Sequence, residues 1–264
     1  MPFKSQIVYN SSHGSVSWVG HSALDDSDFS KFLTGSVASR LDDSSAREEM
    51  HNHLRGLSLT GMGQTSLEEV LAAEVTEDRD WAAGEAIAEA ILEENHNIVF
   101  PWNTERDKRN PFASLPGADI VGLQRDGLTH RFAFGEVKCS SEKKWPPQVM
   151  SGRTGGIGHQ IDAIANDLRI ICQLLYWLLP RVKGTRHEIA FNEASIRYFN
   201  SQRCDVALFG VLVRDQAANE KDLKGRGRKL GSLLKSGTIC RLIALYLPWP
   251  ISSLPAAIRA GVTS

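Results

Sequence analysis

The chain has 264 residues, of which 42% are hydrophobic and 23% charged, with a formal net charge of −1. This is the composition of a soluble globular protein, long enough to bury a full core as one large domain or as a domain with an appendage. No apolar run reaches the roughly 18 residues that a membrane-spanning helix needs, and the net charge is too small to argue nucleic-acid binding by itself.

The charge is unevenly placed. Residues 1–80 carry 13 acids against 6 Lys/Arg, and residues 81–264 carry 18 against 24. A polyanion therefore meets the second part more readily than the first. The first residues are polar and lack a signal-peptide core, so a cytoplasmic protein is expected. Cys139, Cys172, Cys204 and Cys240 are widely spaced without a CxxC pair, which reads as buried free thiols rather than disulfides or a zinc site.

In chain order, residues 6–9 and 15–19 read as short strands around an SSHG turn, and residues 66–74 as a short helix. The Ala-rich stretch WAAGEAIAEAILEE (81–94) predicts a helix capped by Asp80. Residues 97–100 (NIVF) follow as a short strand, and 101–117 as a long loop with three prolines. Residues 118–123 (ADIVGL) and 131–139 (RFAFGEVKC) predict two strands joined at Asp126-Gly127 as a hairpin. After the glycine-rich SGRTGGIG, residues 155–179 predict one long helix ended by Pro180. Residues 203–214 read as a fully apolar central strand, the basic run 220–229 as a loop, and residues 239–247 as a last strand. The order helix–strand–strand–strand–helix–strand predicts an α/β sandwich around a mixed sheet. Residues 1–75 are set apart as an N-terminal appendage with a possible partner-docking role, and 76–264 as the main domain with a C-terminal extension.

The chemistry centres on the strand 131–139. Acid-x-Lys occurs at Glu136/Lys138, Glu142/Lys144 and Asp222/Lys224, and only the first lies in an apolar strand. Period-two alternation puts Phe132, Phe134, Glu136 and Lys138 on one face. An acid and a lysine that continue a face begun by two phenylalanines are costly unless they are paired or bound to something. The alternative is an edge-strand salt bridge facing solvent. Folding back at Asp126-Gly127 brings Asp119, at the head of the preceding strand, to Glu136. Two adjacent carboxylates repel and favour protonation unless a cation lies between them, and a hard divalent ion, Mg²⁺ or Mn²⁺, suits oxygen ligands. Glu85 lies beside the apolar stripe of its helix, with Ala88 and Leu92; it is a third candidate ligand or a boundary residue reaching water. Glu89, Glu93 and Glu94 read as solvated charges.

The segments GE (84–85), GAD (117–119) and GEVK (135–138) resemble the PD-(D/E)xK nuclease superfamily, over roughly residues 80–215. Alanine stands where that family's pattern has proline before the aspartate. The resemblance implies a restriction-endonuclease-like sandwich with an αβββαβ core. It implies Glu85, Asp119, Glu136 and the carbonyl of Val137 as ligands of Mg²⁺ (Mn²⁺ can substitute), and Lys138 as the residue that orients or activates water. Gln160, at the head of the following helix, matches a glutamine found there in many members; a plain helix-start residue is the alternative. Lys143, Lys144, Arg153, Lys224, Arg226 and Arg228 are candidate contacts to a nucleic-acid backbone, or solvated charges. The helix WAAGEAIAEAILEE, the approach SLPGADIVGL, and FGEVKCSSE followed by a Gly/Arg loop and a long helix are similar to the nuclease subunit of Hachiman-type anti-phage systems, which implies DNA as substrate and a superfamily 2 helicase as partner. A stand-alone restriction or repair endonuclease, or a non-catalytic binding module on the same fold, are the alternatives.

Overall fold

The computed structural model describes residues 1–264 except 25, 42–43, 58, 73–79, 102–116, 153–154 and 263–264. Its elements begin with β1 (Ser5–His13), β2 (Val16–Ala23) and α1 (Asp26–Phe32), which runs through a π turn (Leu33–Val37) into α2 (Ala38–Leu41). Then come α3 (Ser44–Arg55), α4 (Gly61–Ala72), α5 (Asp80–His96), β3 (Ile98–Val99), β4 (Ile120–Asp126) and β5 (Thr129–Ser140). The chain continues with α6 (Gln148–Ser151), α7 (Ile157–Asn166), α8 (Leu168–Val182), α9 (Glu188–Asn200), β6 (Val206–Arg214), α10 (Lys221–Leu233), β7 (Ile239–Tyr246) and α11 (Leu254–Val262).

Among the described residues seven strands form one mixed sheet in the order β1-β2-β7-β6-β5-β4-β3. The middle pairings, β2/β7, β7/β6 and β6/β5, are parallel, and antiparallel hairpins close both edges. Helices cover both faces, as a sheet apolar on both sides requires. On one face Phe132, Phe134, Leu208 and Leu242 pack with Ile157, Ile161, Leu174 and Leu223 from α7, α8 and α10. On the other, Ala133, Val137, Phe209 and Val211 pack with Ala83, Ile87 and Ile91 of α5 and Ile258 of α11. Among the described residues no helix is long and apolar enough to cross a membrane.

Several expectations change. Residues 1–75 are not wholly an appendage: β2 pairs with β7 from Val16↔Cys240 to Ser22↔Tyr246, so the first strands extend the central sheet. The long helix expected at 155–179 is two helices. Asp167 adopts an extended conformation between them and its side chain accepts from Arg169 N, starting a new helix. Pro180 lies inside α8 and does not end it. The basic run 220–229 belongs to helix α10, whose buried Leu223, Gly227 and Leu230 form a sparse apolar stripe. Helix α9 had no counterpart in the sequence reading; it buries Phe191 and Tyr198 edge-on against Phe132. All four cysteines are free, but only Cys240 is buried; Cys139 and Cys204 are half-buried and Cys172 is exposed. Glu89 is buried rather than solvated, and Arg40 of α2 pairs with both Glu89 and Glu93.

The end of α5 contains an acid-sensitive contact. Arg241 Nη1 lies 3.0 Å from His96 Nδ1, and the His96 ring packs on Phe209 at 5.5 Å between centroids. Burial, then the Arg241 charge, then His21 hold the His96 pKa down to about 4. The folded form therefore binds fewer protons than the unfolded chain between about pH 6.5 and 4. This contribution is intact above that window and lost as pH falls through it. Urea unfolding at pH 7 and pH 4.5 is expected to show a stability loss about 2 kcal/mol greater in the wild type than in His96→Gln. Equal losses would contradict the assignment.

Candidate active site

The site is built where the sheet opens. β4 begins only at Ile120, paired with Gly135, so β5 beyond Gly135 has β6 on one side and, among the described residues, no strand on the other. Asp119 stands at that opening. Its backbone N–H donates to Gly135 O at 2.9 Å, and its Oδ2 accepts from Val137 N at 3.0 Å. Within a strand a residue's N–H and C=O point to the same side, so the Val137 carbonyl lies on the edge that carries the Asp119 carboxylate.

Glu136 and Lys138 project from β5 on the face shared with Phe132 and Phe134, as the alternation predicts. Lys138 Nζ donates to Glu136 Oε2 at 2.9 Å and to Asp119 Oδ2 at 3.0 Å. Glu136 is 2% exposed, and the lysine is only partly sheltered. Burial, then the Asp119 charge, push the Glu136 carboxyl up to about 8, against the opposing pull of Lys138. Burial would lower the Lys138 ammonium, but the Asp119 and Glu136 charges outweigh it and raise its pKa. One ammonium thus serves two carboxylates, and the buried one remains short of positive charge.

The other candidates fall into place unevenly. Glu85 is 8% exposed on α5, the helix that covers the opposite face of the sheet. Its neighbour Gly84 sits so close to β5 that a Cβ there would come within 2.3 Å of Cys139 Sγ. Among the described residues no three His, Cys, Asp or Glu side chains gather at metal-binding spacing, so Glu85 does not join Asp119 and Glu136 as folded. Gln160 is on α7, which crosses the Glu136 face: Ile157 and Ile161 of that helix press on Gly210, the residue paired with Glu136. The Gln160 Oε1 is buried, with no hydrogen-bond partner among the described residues.

The basic candidates divide as well. Lys143 and Lys144 are exposed on the loop that leaves β5. Lys224 is paired with Glu220 at 2.8 Å. Arg226 lies across α7, where a Cβ on Gly158 would come within 2.1 Å of its Cδ. Arg228 is exposed on α10. Arg153 lies outside the described residues. Arg214, the last residue of β6, is not among the residues the sequence singles out. It is fully buried and donates through Nη2 to Glu142 O at 2.9 Å and Lys144 O at 3.2 Å. Its only sequence signal was an arginine closing an otherwise apolar strand.

The residues present suit a divalent cation. Two carboxylates and a backbone carbonyl on one open edge make a hard-oxygen donor set, and the raised Glu136 carboxyl marks a place where added positive charge is stabilising. No protein-family model matches the chain, and a search of curated proteins finds none that matches it.

Proposed function

We propose that the chain is a metal-dependent nuclease that hydrolyses DNA phosphodiester bonds, with Asp119, Glu136 and Lys138 at its reactive centre. The observation that carries this reading is a single lysine shared by two carboxylates, one of them buried, at an open sheet edge. The fold class fits a restriction-endonuclease-like sandwich, since α5, β3, β4, β5, α7 and β6 run in the αβββαβ order of the PD-(D/E)xK superfamily that GAD and GEVK resemble.

In this reading Asp119, Glu136 and the Val137 carbonyl would hold Mg²⁺, or Mn²⁺ in its place; Glu85, on the helix of the opposite face, is not gathered with them. An ion held there would supply Lewis acidity to the phosphate and lower the pKa of water. The Val137 N–H fixes the Asp119 carboxylate, so that its remaining oxygen is available to a ligand. Lys138 holds both acids in register, and its ammonium favours negative charge on an attacking oxygen. Gln160 contributes an acceptor beside the same face. The resemblance to the Hachiman nuclease subunit extends the proposal to an anti-phage defence complex in the cytoplasm, with a superfamily 2 helicase supplying much of the grip on DNA. A chain with a net charge of −1 is consistent with borrowing that grip.

The test is conversion of supercoiled plasmid to nicked and linear forms by the purified full chain. Cleavage is expected with Mg²⁺ or Mn²⁺ and none with chelator. No cleavage with either ion, alone or with a helicase partner, would reject the reading.

A further inference from the structure

The loop that leaves β5 is held far more firmly than an ordinary surface connection. Arg214 donates to the carbonyls of Glu142 and Lys144, and Lys144 N closes the turn onto Glu142 O at 2.8 Å. Ser141 Oγ donates to Asp215 Oδ2 at 2.7 Å, and Trp145 Nε1 to Ala217 O at 3.3 Å. The Glu142 carboxylate accepts from Gln148 N at 2.6 Å. Lys143 and Lys144 are exposed, as are Ser141, Glu142 and Trp145, and among the described residues neither lysine is in an ion pair.

Arg214 is an expensive way to shape a loop. It is fully buried; among the described residues its Nε and Nη1 find no hydrogen-bond partner, and Asp222, 3.7 Å from its Nε, has an unpartnered Oδ1 of its own. A buried guanidinium left partly unsatisfied costs stability that an apolar residue at the end of β6 would not. What it provides is two bonds to the loop backbone. Ser140, Arg214 and Tyr246 are in register across β5, β6 and β7, so the loop stands at the end of the sheet toward which Glu136 and Lys138 lead. Paired ammonium groups on a fixed frame, one turn beyond a hydrolytic centre, suit the next phosphates of a polyanionic strand, because a preordered contact loses little entropy on binding.

Resting on the nuclease reading, we infer that residues 141–147 form a preordered phosphodiester-binding clamp for duplex DNA, with Lys143 and Lys144 as its contacts and Arg214 as its positioning residue. The clamp grips phosphates flanking the one that reacts and reads no base sequence.

Binding of the full chain to a short DNA duplex, followed by fluorescence anisotropy across a salt series without metal, tests this separately from catalysis. Replacing both lysines (Lys143→Ala with Lys144→Ala) is expected to reduce the log–log salt slope by about 1.8, about 0.9 per phosphate contact, and to weaken binding about ten-fold or more at 0.1 M salt. Arg214→Lys keeps the charge but loses the two-carbonyl fork. It is expected to weaken binding similarly and to add little when combined with the lysine replacements, since both act through one loop. A purely structural Arg214 would give additive losses. An unchanged affinity and slope in the lysine pair, or no duplex binding by the wild type, overturns the clamp, whether or not Arg214→Lys folds. Loss of binding in the variants alongside a wild type that never cleaves would retain the clamp and reject the nuclease.

Discussion

Glu136→Gln is expected to lower plasmid cleavage by about a thousand-fold or more while leaving the protein folded, and Lys138→Met by about a hundred-fold or more. The first substitution preserves shape and a hydrogen-bonding oxygen but removes the negative charge that a bound cation would need. Because the environment of Glu136 already disfavours its ionised form and pushes the carboxyl up to about 8, neutralising it is expected to leave metal-free stability at or above that of the wild type. An active site that is destabilising in its own right behaves in this way. The second substitution leaves two close carboxylates without their shared ammonium, so it is expected to lower metal-free thermal stability as well. Cleavage rates from plasmid nicking and melting temperatures from circular dichroism check both halves. Wild-type rates in both variants would remove Glu136 and Lys138 from the chemistry.

The largest effect on stability is expected one residue earlier. A Cβ on Gly135 would come within 2.0 Å of the Phe209 carbonyl oxygen and 2.8 Å of its carbon. Those are backbone atoms of the neighbouring central strand, which cannot move aside without opening the β5/β6 ladder. Gly135→Ala is therefore expected to cost about 4 kcal/mol or more, enough to leave much of the chain unfolded. Gly127→Ala is the matched control. That turn residue has a φ of +63° and open space around it, so only backbone strain of about 1 kcal/mol is expected. Urea unfolding of the two variants checks this, and comparable midpoints would show that β5 and β6 are not packed as described.

The contrast explains what the sequence could and could not reveal. The β4–β5 hairpin was legible because its signals are local: a turn at Asp126-Gly127 and an alternation that carries Phe132, Phe134, Glu136 and Lys138 along one face. The pairing that sets Asp119 against Glu136 follows from that turn alone. Parallel pairing leaves no such trace. β2 meets β7 across more than two hundred residues, so the opening strands looked like an appendage. Helix α10 leaves little helical signal because its buried side is sparse and includes Gly227, where the Trp18 ring takes the space of a side chain, 2.4 Å from a Cβ position. The break at Asp167 rests on a side-chain cap, a one-residue signal inside an otherwise continuous helical pattern. Arg214 was hidden for a different reason. Its partners are carbonyl oxygens some seventy residues away, and backbone acceptors have no identity in a sequence. Glu85 marks the limit of motif reasoning, since its helix and order are as expected while its carboxylate is not gathered with the other two.

The central claim is that the carboxylates of Asp119 and Glu136 hold a divalent cation, and calorimetric titration of Mn²⁺ into the purified chain addresses it without relying on any substrate. Saturable binding is expected in the wild type, with thermal stabilisation of about 2.7 kcal/mol at a hundred times the dissociation constant, and both are expected to disappear in Asp119→Asn and in Glu136→Gln. Absence of binding in the wild type, or undiminished binding in both variants, would contradict it.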